Sequence, residues 1–352
     1  MTAAINKWYV KKGHSVDLVT MHYGQLPHCE VIDGVKIFRV RAIRKKQVTC
    51  TTFEMLSFVL SAIPFALKLT KDNKYDIVHC HFVIPTGILA YVLRKFRGLE
   101  YILTAHGSDI PGHNPDRFQF EHRFTGPLLR MIMVKAKVVV TMSRSLKNTM
   151  ARNITAGVPI TVIPNGVDPD MFSGLLKRKN WILMAGKYLP FKGFQYALQA
   201  LRDHPLPGWE IHLIGDGPYK EELEALAQQL SNKVVFHGWL LRGSAEFMKL
   251  YEQSRIFIFP SDTENAPMAL LEAMNAGLAI IALDIPSCGE VLKDTAILVP
   301  PHDAPAIAAA ISQLIQNINL MSDYSQKARQ RSLERFSWGL IVDKYLKLME
   351  GV

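Results

Sequence analysis

The sequence is poor in cysteine. Its four cysteines, Cys29, Cys50, Cys80 and Cys288, are scattered over 352 residues and form no CxxC pair. This scarcity excludes a disulfide-stapled scaffold and predicts reduced, mostly buried thiols in a cytoplasmic protein. With no cysteine cluster and only His79 and His81 in metal-pair spacing, the pattern gives no zinc site, and we expect no metal.

Long hydrophobic runs are also missing. The longest, Met55 to Leu67, has 13 residues and contains Pro64, whereas a membrane span needs about 20 residues. The chain does not open with a charged and then apolar signal peptide, and it shows no repeat or low-complexity tract. We expect a protein that is soluble or at most peripheral to a membrane.

The length and charge indicate two unlike halves. At roughly 150 residues per domain, 352 residues predict two domains. Residues 1–170 carry 23 basic and 12 acidic side chains, a net charge of +11, and residues 171–352 carry 18 and 19, a net charge of −1. The basic first half favours an anionic ligand, an anionic lipid or nucleic acid. Nucleic acid is not expected, because no basic helix carries base-reading polar residues.

Short β-branched runs alternate with helical patterns, which predicts an α/β protein with two doubly wound parallel sheets. The boundary falls near Pro164-Asn165-Gly166, a turn-forming triplet. The predicted strands are 16–19, 35–40, 77–79, 102–104, 138–141 and 160–163, then 182–185, 211–214, 234–236, 256–259, 279–282 and 297–299.

One strand-to-helix segment predicts an anion site. Strand 256–259 is followed by a polar loop with Glu264, then by Pro267 at the start of a helix that ends near Gly277. The free N–H groups of Met268 and Ala269 would then point outward and suit a phosphate. A plain capped helix with two solvated carboxylates, Glu264 and Glu272, is the alternative.

Two further strand ends carry polar residues. Strand 182–185 leads into Gly186-Lys187 and Lys192-Gly193, where two cations could neutralise a diphosphate or lie exposed on a loop. Strand 102–104 leads to His106, which could contact a ligand or be structural.

Six motifs follow one another along the sequence, and together they resemble those of the retaining glycosyltransferases of family 4. In order, they are AHGSD, IPNGVD, AGKYLPFKG, IGDGP, FHGW and FPSDTENAPMALLEAMNAG. The similarity runs from about Gly13 to the C-terminus, and the Glu264-x7-Glu272 spacing is its most specific part. The resemblance implies the GT-B fold, with two Rossmann-like domains that face a cleft. It implies an acceptor-side domain at 1–163, a nucleotide-sugar domain at 164–335, and a helix at 336–352 that crosses back.

The resemblance also implies residue roles. Glu264 and His106 would face the donor sugar, Lys192 would stabilise charge on the leaving diphosphate, and Glu272 would bind the ribose hydroxyls. The donor would be a UDP- or GDP-sugar, and no cofactor or metal is implied. The remaining expected donor-binding residues are Gly186, Lys187, Gly238, Asn265, Ala266, Pro267, Met268 and Ala269.

Two departures from the family pattern stand out. Lys187 occupies a position where the family usually has arginine, so we expect altered diphosphate contact. The family opens with an apolar strand and a glycine-rich loop, whereas this sequence begins inside the following helix. We therefore expect a first domain without that strand and loop, with a gap beside 16–19.

The basic cluster of the first half precedes an apolar helical segment, residues 53–67. This pairing suits an anionic membrane surface on the inner face of the plasma membrane, or is a solvated face beside an ordinary core helix. We expect a lipid-linked or glycan acceptor in cell-envelope polysaccharide synthesis. The residues of the cluster are Arg39, Arg41, Arg44, Lys45 and Lys46.

The leading hypothesis is a metal-independent, retaining hexosyltransferase. A catalytically impaired nucleotide-binding protein of the same fold is the second hypothesis, because the first strand is missing. A nucleotide-sugar epimerase is the third, although it would need an acid and base pair that the sequence does not supply.

Overall fold

A computed structural model describes residues 1–45, 50–107, 109–110, 119–154, 158–174 and 176–351, with the backbone alone for 119–125. The chain divides into two compact units. Unit 1 comprises Met1–Pro164 with Ile341–Val352, and unit 2 comprises Asn165–Leu340. Each unit is an α/β structure, and each is described separately below.

Unit 1 contains five helices and seven strands among its described residues, followed by the end of the last helix of the chain. The helices are α1 (Thr2–Lys11), α2 (Thr52–Asp72), α3 (Thr86–Arg97), α4 (Gln119–Lys135) and α5 (Arg144–Asn153). The strands are β1 (Asp17–Met21), β2 (Cys29–Ile32), β3 (Val35–Val40), β4 (Val78–His81), β5 (Tyr101–Ala105), β6 (Val138–Thr141) and β7 (Ile160–Val162).

The strands of unit 1 form two sheets rather than one. The first has the order β1-β3-β2, with β2 antiparallel to β3, and the second is the parallel set β4-β5-β6-β7. Within the described residues, β1 and β4 each pair along one edge only. The predicted interruption beside 16–19 is therefore present. Helix α2 packs against the first sheet and against α3, and its buried face shares one apolar cluster with Val40 of β3 and Leu89 and Leu93 of α3, against which Val19 of β1 and Val78 of β4 also pack.

Helix α2 begins at a capping box. The Thr51 hydroxyl accepts a hydrogen bond from the Glu54 N–H, and the Glu54 carboxylate accepts one from the Thr51 N–H. The helix is long and apolar enough to span a membrane by length and composition alone, with a mean hydropathy of 1.5. One face of α2 nevertheless belongs to the core of unit 1.

Unit 2 is a single six-stranded parallel sheet with helices on both faces. Its helices are α6 (Phe194–Asp203), α7 (Lys220–Ala227), α8 (Ala245–Gln253), α9 (Met268–Asn275), α10 (Pro286–Leu292), α11 (Ala304–Gln316) and α12 (Ile318–Phe336). Its strands are β8 (Trp181–Ala185), β9 (Glu210–Ile214), β10 (Lys233–Phe236), β11 (Ile256–Phe259), β12 (Ala279–Leu283) and β13 (Ile297–Val299). Helix α13 (Trp338–Glu350) starts in unit 2, and its residues from Ile341 onward belong to unit 1.

The strand order of unit 2 is β10-β9-β8-β11-β12-β13. From β8 the chain continues to β9 and β10 on one side of the sheet, and from β11 it continues to β12 and β13 on the other side. The connections therefore leave β8 and β11 in opposite directions. Two apolar clusters cover the two faces, one built on Leu183 and Phe257 and the other on Ile182 and Ile258. Because ligands bind where the strand order reverses, the carboxyl ends of β8 and β11 mark the candidate site.

The burial of the four cysteines agrees only in part with the prediction from the sequence. Cys80 and Cys288 are buried, whereas Cys50 is half-buried and Cys29 is exposed on edge strand β2. All four are free thiols. The expectation that most of them are buried was therefore wrong for Cys29, which lies on a strand that the sequence reading did not identify.

Candidate active site

Lys192 and Glu264 meet at the point where the strand order reverses. Lys192 ends a short 3-10 helix (Pro190–Lys192) after β8, and Glu264 lies in the loop after β11. The Lys192 ammonium donates to the Glu264 carboxylate, and both side chains are mostly buried, at 19% and 14% exposed. The Ser261 hydroxyl donates a second hydrogen bond to the same carboxylate oxygen, at 3.0 Å. The structure thus brings together the predicted phosphate ligand and the predicted sugar ligand.

Close backbone packing fixes these two loops against each other. The Asp262 N–H donates to the Phe191 carbonyl at 2.9 Å. Gly193 has a φ of +69°, and a Cβ at this position would lie 1.9 Å from the Pro260 carbonyl oxygen. Only glycine allows this approach. The loop that carries Lys192 is therefore held in register with the loop that carries Glu264.

Helix α9 begins one residue later than predicted, at Met268, with Pro267 as its N-cap. The first N–H groups of a helix have no acceptor within it, so those of Met268 and Ala269 face outward at the positive end of the helix. The Asn165 amide donates to the Ala266 carbonyl at 3.1 Å and fixes the entry of the chain into α9. Gly277 follows the end of the helix with a φ of +67°, as an αL cap should.

Glu272 lies on the second turn of α9 and is 5% exposed. Arg242, from the loop after β10, forms an ion pair with its carboxylate at 2.5 Å, and the Tyr251 hydroxyl of α8 donates to it at 3.3 Å. Burial raises the pKa of Glu272, while Arg242 and Tyr251 oppose the shift. Sequence reasoning missed Arg242 and Tyr251, because nothing in the spacing of residues 242, 251 and 272 indicates that they meet.

Three glycines join the loops at the carboxyl ends of β8, β9 and β10. The Gly186 N–H donates to the Ile214 carbonyl, and the Gly215 N–H donates to the Gly238 carbonyl. A Cβ on Gly215 would lie 1.9 Å from the Gly186 carbonyl oxygen. Lys187 is exposed beside this edge, and Trp239 is 71% exposed in the loop that leads to Arg242.

His106 follows β5 in unit 1 and lies at the carboxyl edge of that sheet. Its Nε2 shares a hydrogen bond with Nδ1 of His81 at 3.2 Å, and its ring stacks on Phe82. Buried Asp109 accepts hydrogen bonds from the N–H groups of His106 and Val83, at 3.1 and 2.6 Å. Asp109 therefore ties the end of β4 to the end of β5 and positions His106. Sequence reasoning did not single out this carboxylate.

His79 and His81 take part in a hydrogen-bonded cluster. The His79 ring is bonded to the Tyr9 hydroxyl at 3.1 Å and to the Thr104 hydroxyl at 2.8 Å, and it lies 4.4 Å from the His81 ring. Burial lowers the pKa of His79 to about 3 and that of His106 to about 4, so both are neutral at pH 7. Among the described side chains, no group of three or more acidic, histidine or cysteine residues could hold a metal ion.

These neutral histidines predict an acid-labile unit 1. Unfolding releases them to ordinary pKa values near 6.5, so the unfolded chain binds more protons below that pH. Stability is then lost as the pH falls from about 6.5 toward the folded values. At pH 5 the loss is about 2 kcal/mol for each of His79 and His106. Thermal unfolding at pH 7 and pH 5 tests this, and His79→Gln should reduce the difference. An identical pH dependence in this variant would contradict the prediction for His79.

The basic cluster predicted at 39–46 is not uniform. Arg39 forms an ion pair with Glu30 and is mostly buried, so it does not belong to an exposed positive surface. Arg44 is half-buried and lies over the Tyr23 ring. Arg41 and Lys45 are exposed, and Lys46 lies outside the described residues.

Two family models match the sequence in succession. The model of Glycosyltransferase Family 4 matches residues 2–171, and that of Glycosyl transferases group 1 matches residues 168–331. The chain belongs to the family-4 glycosyltransferases. It is thus a sugar-transferring enzyme with the GT-B fold, and the family resemblance inferred from the motifs is confirmed.

Relatives of this glycosyltransferase match along most of its length. It is 26% identical to an uncharacterised glycosyltransferase of Methanocaldococcus jannaschii, across 94% of this chain and 87% of the relative. It is 24% identical to a Bacillus subtilis glycosyltransferase named for teichuronic acid biosynthesis, across 82% and 73%. Among solved structures, HepE of Anabaena in complex with UDP and glucose has a TM-score of 0.77 and 16% identity, covering 100% of this chain and 95% of HepE.

Proposed function

We propose that this glycosyltransferase moves a hexosyl unit, with retention at the anomeric carbon, from a nucleotide-diphosphate sugar to a lipid-linked or polysaccharide acceptor. The observation that carries the proposal is the Lys192–Glu264 pair beside the N-terminus of α9, at the point where the strand order of unit 2 reverses. Ligands of doubly wound sheets bind at such points.

The charges of this site match the charges of the reaction. When the bond between the sugar and the diphosphate breaks, its electron pair leaves with the diphosphate and positive charge develops on the anomeric carbon. Lys192 and the N–H groups of Met268 and Ala269 would stabilise the leaving diphosphate without a metal ion. The Glu264 carboxylate would face the sugar, where a negative group suits oxocarbenium character. No metal or cofactor is part of the proposal.

The other predicted donor ligands fit the same arrangement. Glu272 would accept hydrogen bonds from the ribose hydroxyls, and Arg242 forms an ion pair with its carboxylate. Gly186 and Gly238 allow the backbone to come close to the nucleotide. His106, a neutral imidazole at the carboxyl end of β5, is the proposed histidine contact of the donor sugar.

Two kinds of observation support the proposed acceptor. The relative named for teichuronic acid biosynthesis suggests a cell-envelope polysaccharide. Unit 1 carries exposed basic and apolar side chains side by side, which suits a lipid-linked acceptor at a membrane. We place the enzyme in the cytoplasm, at the inner face of the plasma membrane.

Calorimetry with UDP and GDP tests the donor site. We expect one nucleotide diphosphate to bind at micromolar concentration in buffer that contains EDTA, and Lys192→Ala to weaken that binding about tenfold or more, since a charge-assisted hydrogen bond is worth about 1.5 to 3 kcal/mol. Lys220→Ala, which breaks an exposed ion pair with Glu224 on α7, is the matched control. Equal binding by both variants, or binding only after a divalent metal is added, would contradict the proposed site.

A further inference from the structure

Helix α2 exposes an apolar stripe to solvent. Phe53, Leu56 and Leu60 are 65%, 53% and 66% exposed, and Pro64 continues the line as another exposed residue. The spacing of three, four and four residues places all four on one face of the helix. The opposite face, with Phe58, Val59, Ala62 and Ala66, is buried in the core of unit 1. Only 28% of the most apolar window of the helix is buried, so α2 is not an ordinary core helix.

The basic segment before α2 lies against this stripe. The Ile43 N–H donates to the Ser57 hydroxyl at 2.9 Å, and the Lys45 N–H donates to the Glu54 carboxylate at 2.7 Å. These bonds hold residues 43–45 along the first two turns of α2. Ile43 is itself 49% exposed and extends the apolar surface. The contiguity of the basic and apolar side chains is therefore a feature of the structure and not only of the sequence.

The charges around the stripe are mainly positive. Lys45 is exposed near its beginning, Arg41 is exposed two residues before the segment that is bonded to α2, and Lys68 and Lys71 are exposed on the same face beyond Pro64. Asp72 follows Lys71 and offsets part of that charge. Glu54 does not offset the positive charge at the surface, since its carboxylate is buried and accepts hydrogen bonds from the N–H groups of Thr51 and Lys45.

We propose that the stripe Ile43, Phe53, Leu56, Leu60 and Pro64, with Arg41, Lys45, Lys68 and Lys71 around it, docks unit 1 onto an anionic lipid bilayer. Apolar side chains flanked by lysine and arginine are the pattern of helices that lie in the headgroup region. The basic side chains stay at the level of the phosphates while the apolar ones enter the acyl boundary. The inference deepens the proposed function, because it rests on an acceptor carried by a lipid, and it would place unit 1 at the source of that acceptor.

Vesicle flotation tests the docking surface without any sugar donor. The full chain is mixed with vesicles of phosphatidylcholine alone or with an equal part of phosphatidylglycerol. We expect binding to the anionic vesicles that falls as salt is raised, and little binding to the neutral ones. The double variant Phe53→Ser/Leu60→Ser should weaken the partition coefficient about tenfold or more, and Arg41→Gln/Lys45→Gln should weaken it by about fivefold for each charge removed.

Matched controls distinguish binding through this surface from nonspecific adsorption by exposed apolar side chains. Val134→Ser/Ile318→Ser removes two side chains that are 53% and 55% exposed elsewhere on the chain, and it should leave vesicle binding unchanged. Thermal unfolding of each variant verifies that it is folded. Loss of binding in the control pair, or retention of binding in Phe53→Ser/Leu60→Ser, would overturn the proposal. So would a solution dimer of the wild-type chain that Phe53→Ser/Leu60→Ser dissociates, since the stripe would then be a contact between copies.

The outcome is independent of the donor site. If calorimetry detects binding of UDP or GDP but the chain does not bind anionic vesicles, the membrane inference is wrong and the proposed donor site stands. If the chain floats with anionic vesicles but binds neither nucleotide, the proposed donor site is wrong and the docking surface stands.

Discussion

Replacing Glu264 by glutamine is expected to lower kcat about a hundredfold or more while the protein remains folded. The carboxylate is placed to oppose positive charge that exists only while the sugar is in transit, and removing one such preorganised group typically costs a hundred- to a thousandfold in rate. Lys192→Met should have an effect of similar size, because it removes a positive charge that would stabilise the departing diphosphate.

The ion pair between these two side chains makes the test more specific. In the structure the Lys192 ammonium is bound to Glu264, so a purely structural role predicts that each single variant destabilises the loops and that the double variant is no worse than either. A role in transfer predicts different kinetic signatures. Glu264→Gln should lower kcat with little change in nucleotide affinity, and Lys192→Met should also weaken the binding of the nucleotide diphosphate.

Transfer of radiolabelled sugar and calorimetry measure the two quantities separately. The matched control is Lys220→Met with Glu224→Gln, an exposed pair on α7 of the same unit. Full activity in both Glu264→Gln and Lys192→Met would show that the reaction takes place elsewhere. Equal loss in the Lys220 and Glu224 variants would show that unit 2 is merely sensitive to substitution.

Much of the architecture could be predicted from sequence because buried parallel strands are short β-branched runs. The predicted runs 35–40, 138–141, 256–259 and 297–299 coincide with β3, β6, β11 and β13. Strand β2 was missed, since Cys29–Ile32 lies mostly exposed at an edge and pairs antiparallel with β3, so its sequence lacks the buried pattern. The last helix was predicted from residue 336 but begins at Trp338, because α12 continues through Phe336.

The site could be predicted only where a motif lies on one strand and the loop that follows it. Lys192 and Glu264 each follow a strand end, and parallel strands bring such ends to one edge of the sheet. Arg242 has no such signal, since it lies thirty positions before its partner Glu272 and reaches it through the packing of a loop against α9. Arg39 was predicted to belong to an exposed basic cluster, because the sequence places it in a basic run. In the structure it pairs with Glu30 on the adjacent strand, and this pairing depends on the hairpin that contains β2.

The Arg242–Glu272 pair carries the second large expected effect. Arg242→Ala should destabilise unit 2 by about 1 to 3 kcal/mol, because it leaves the buried Glu272 carboxyl group without its ion-pair partner. Glu272→Gln should destabilise it less, since Arg242 is partly exposed and can be solvated, but it should weaken binding of the nucleotide about tenfold to a hundredfold through the loss of charged hydrogen bonds to the ribose.

The double variant Arg242→Met/Glu272→Gln distinguishes stability from recognition. Replacing both members of an ion pair by neutral groups leaves no uncompensated charge, and such a double replacement is often neutral for stability. We therefore expect the thermal midpoint to return toward that of the wild type while nucleotide affinity stays low. Thermal unfolding measures the first quantity and calorimetry the second. If nucleotide affinity recovered together with stability, Glu272 would be a structural residue of α9 and the ribose would have to be bound by another group.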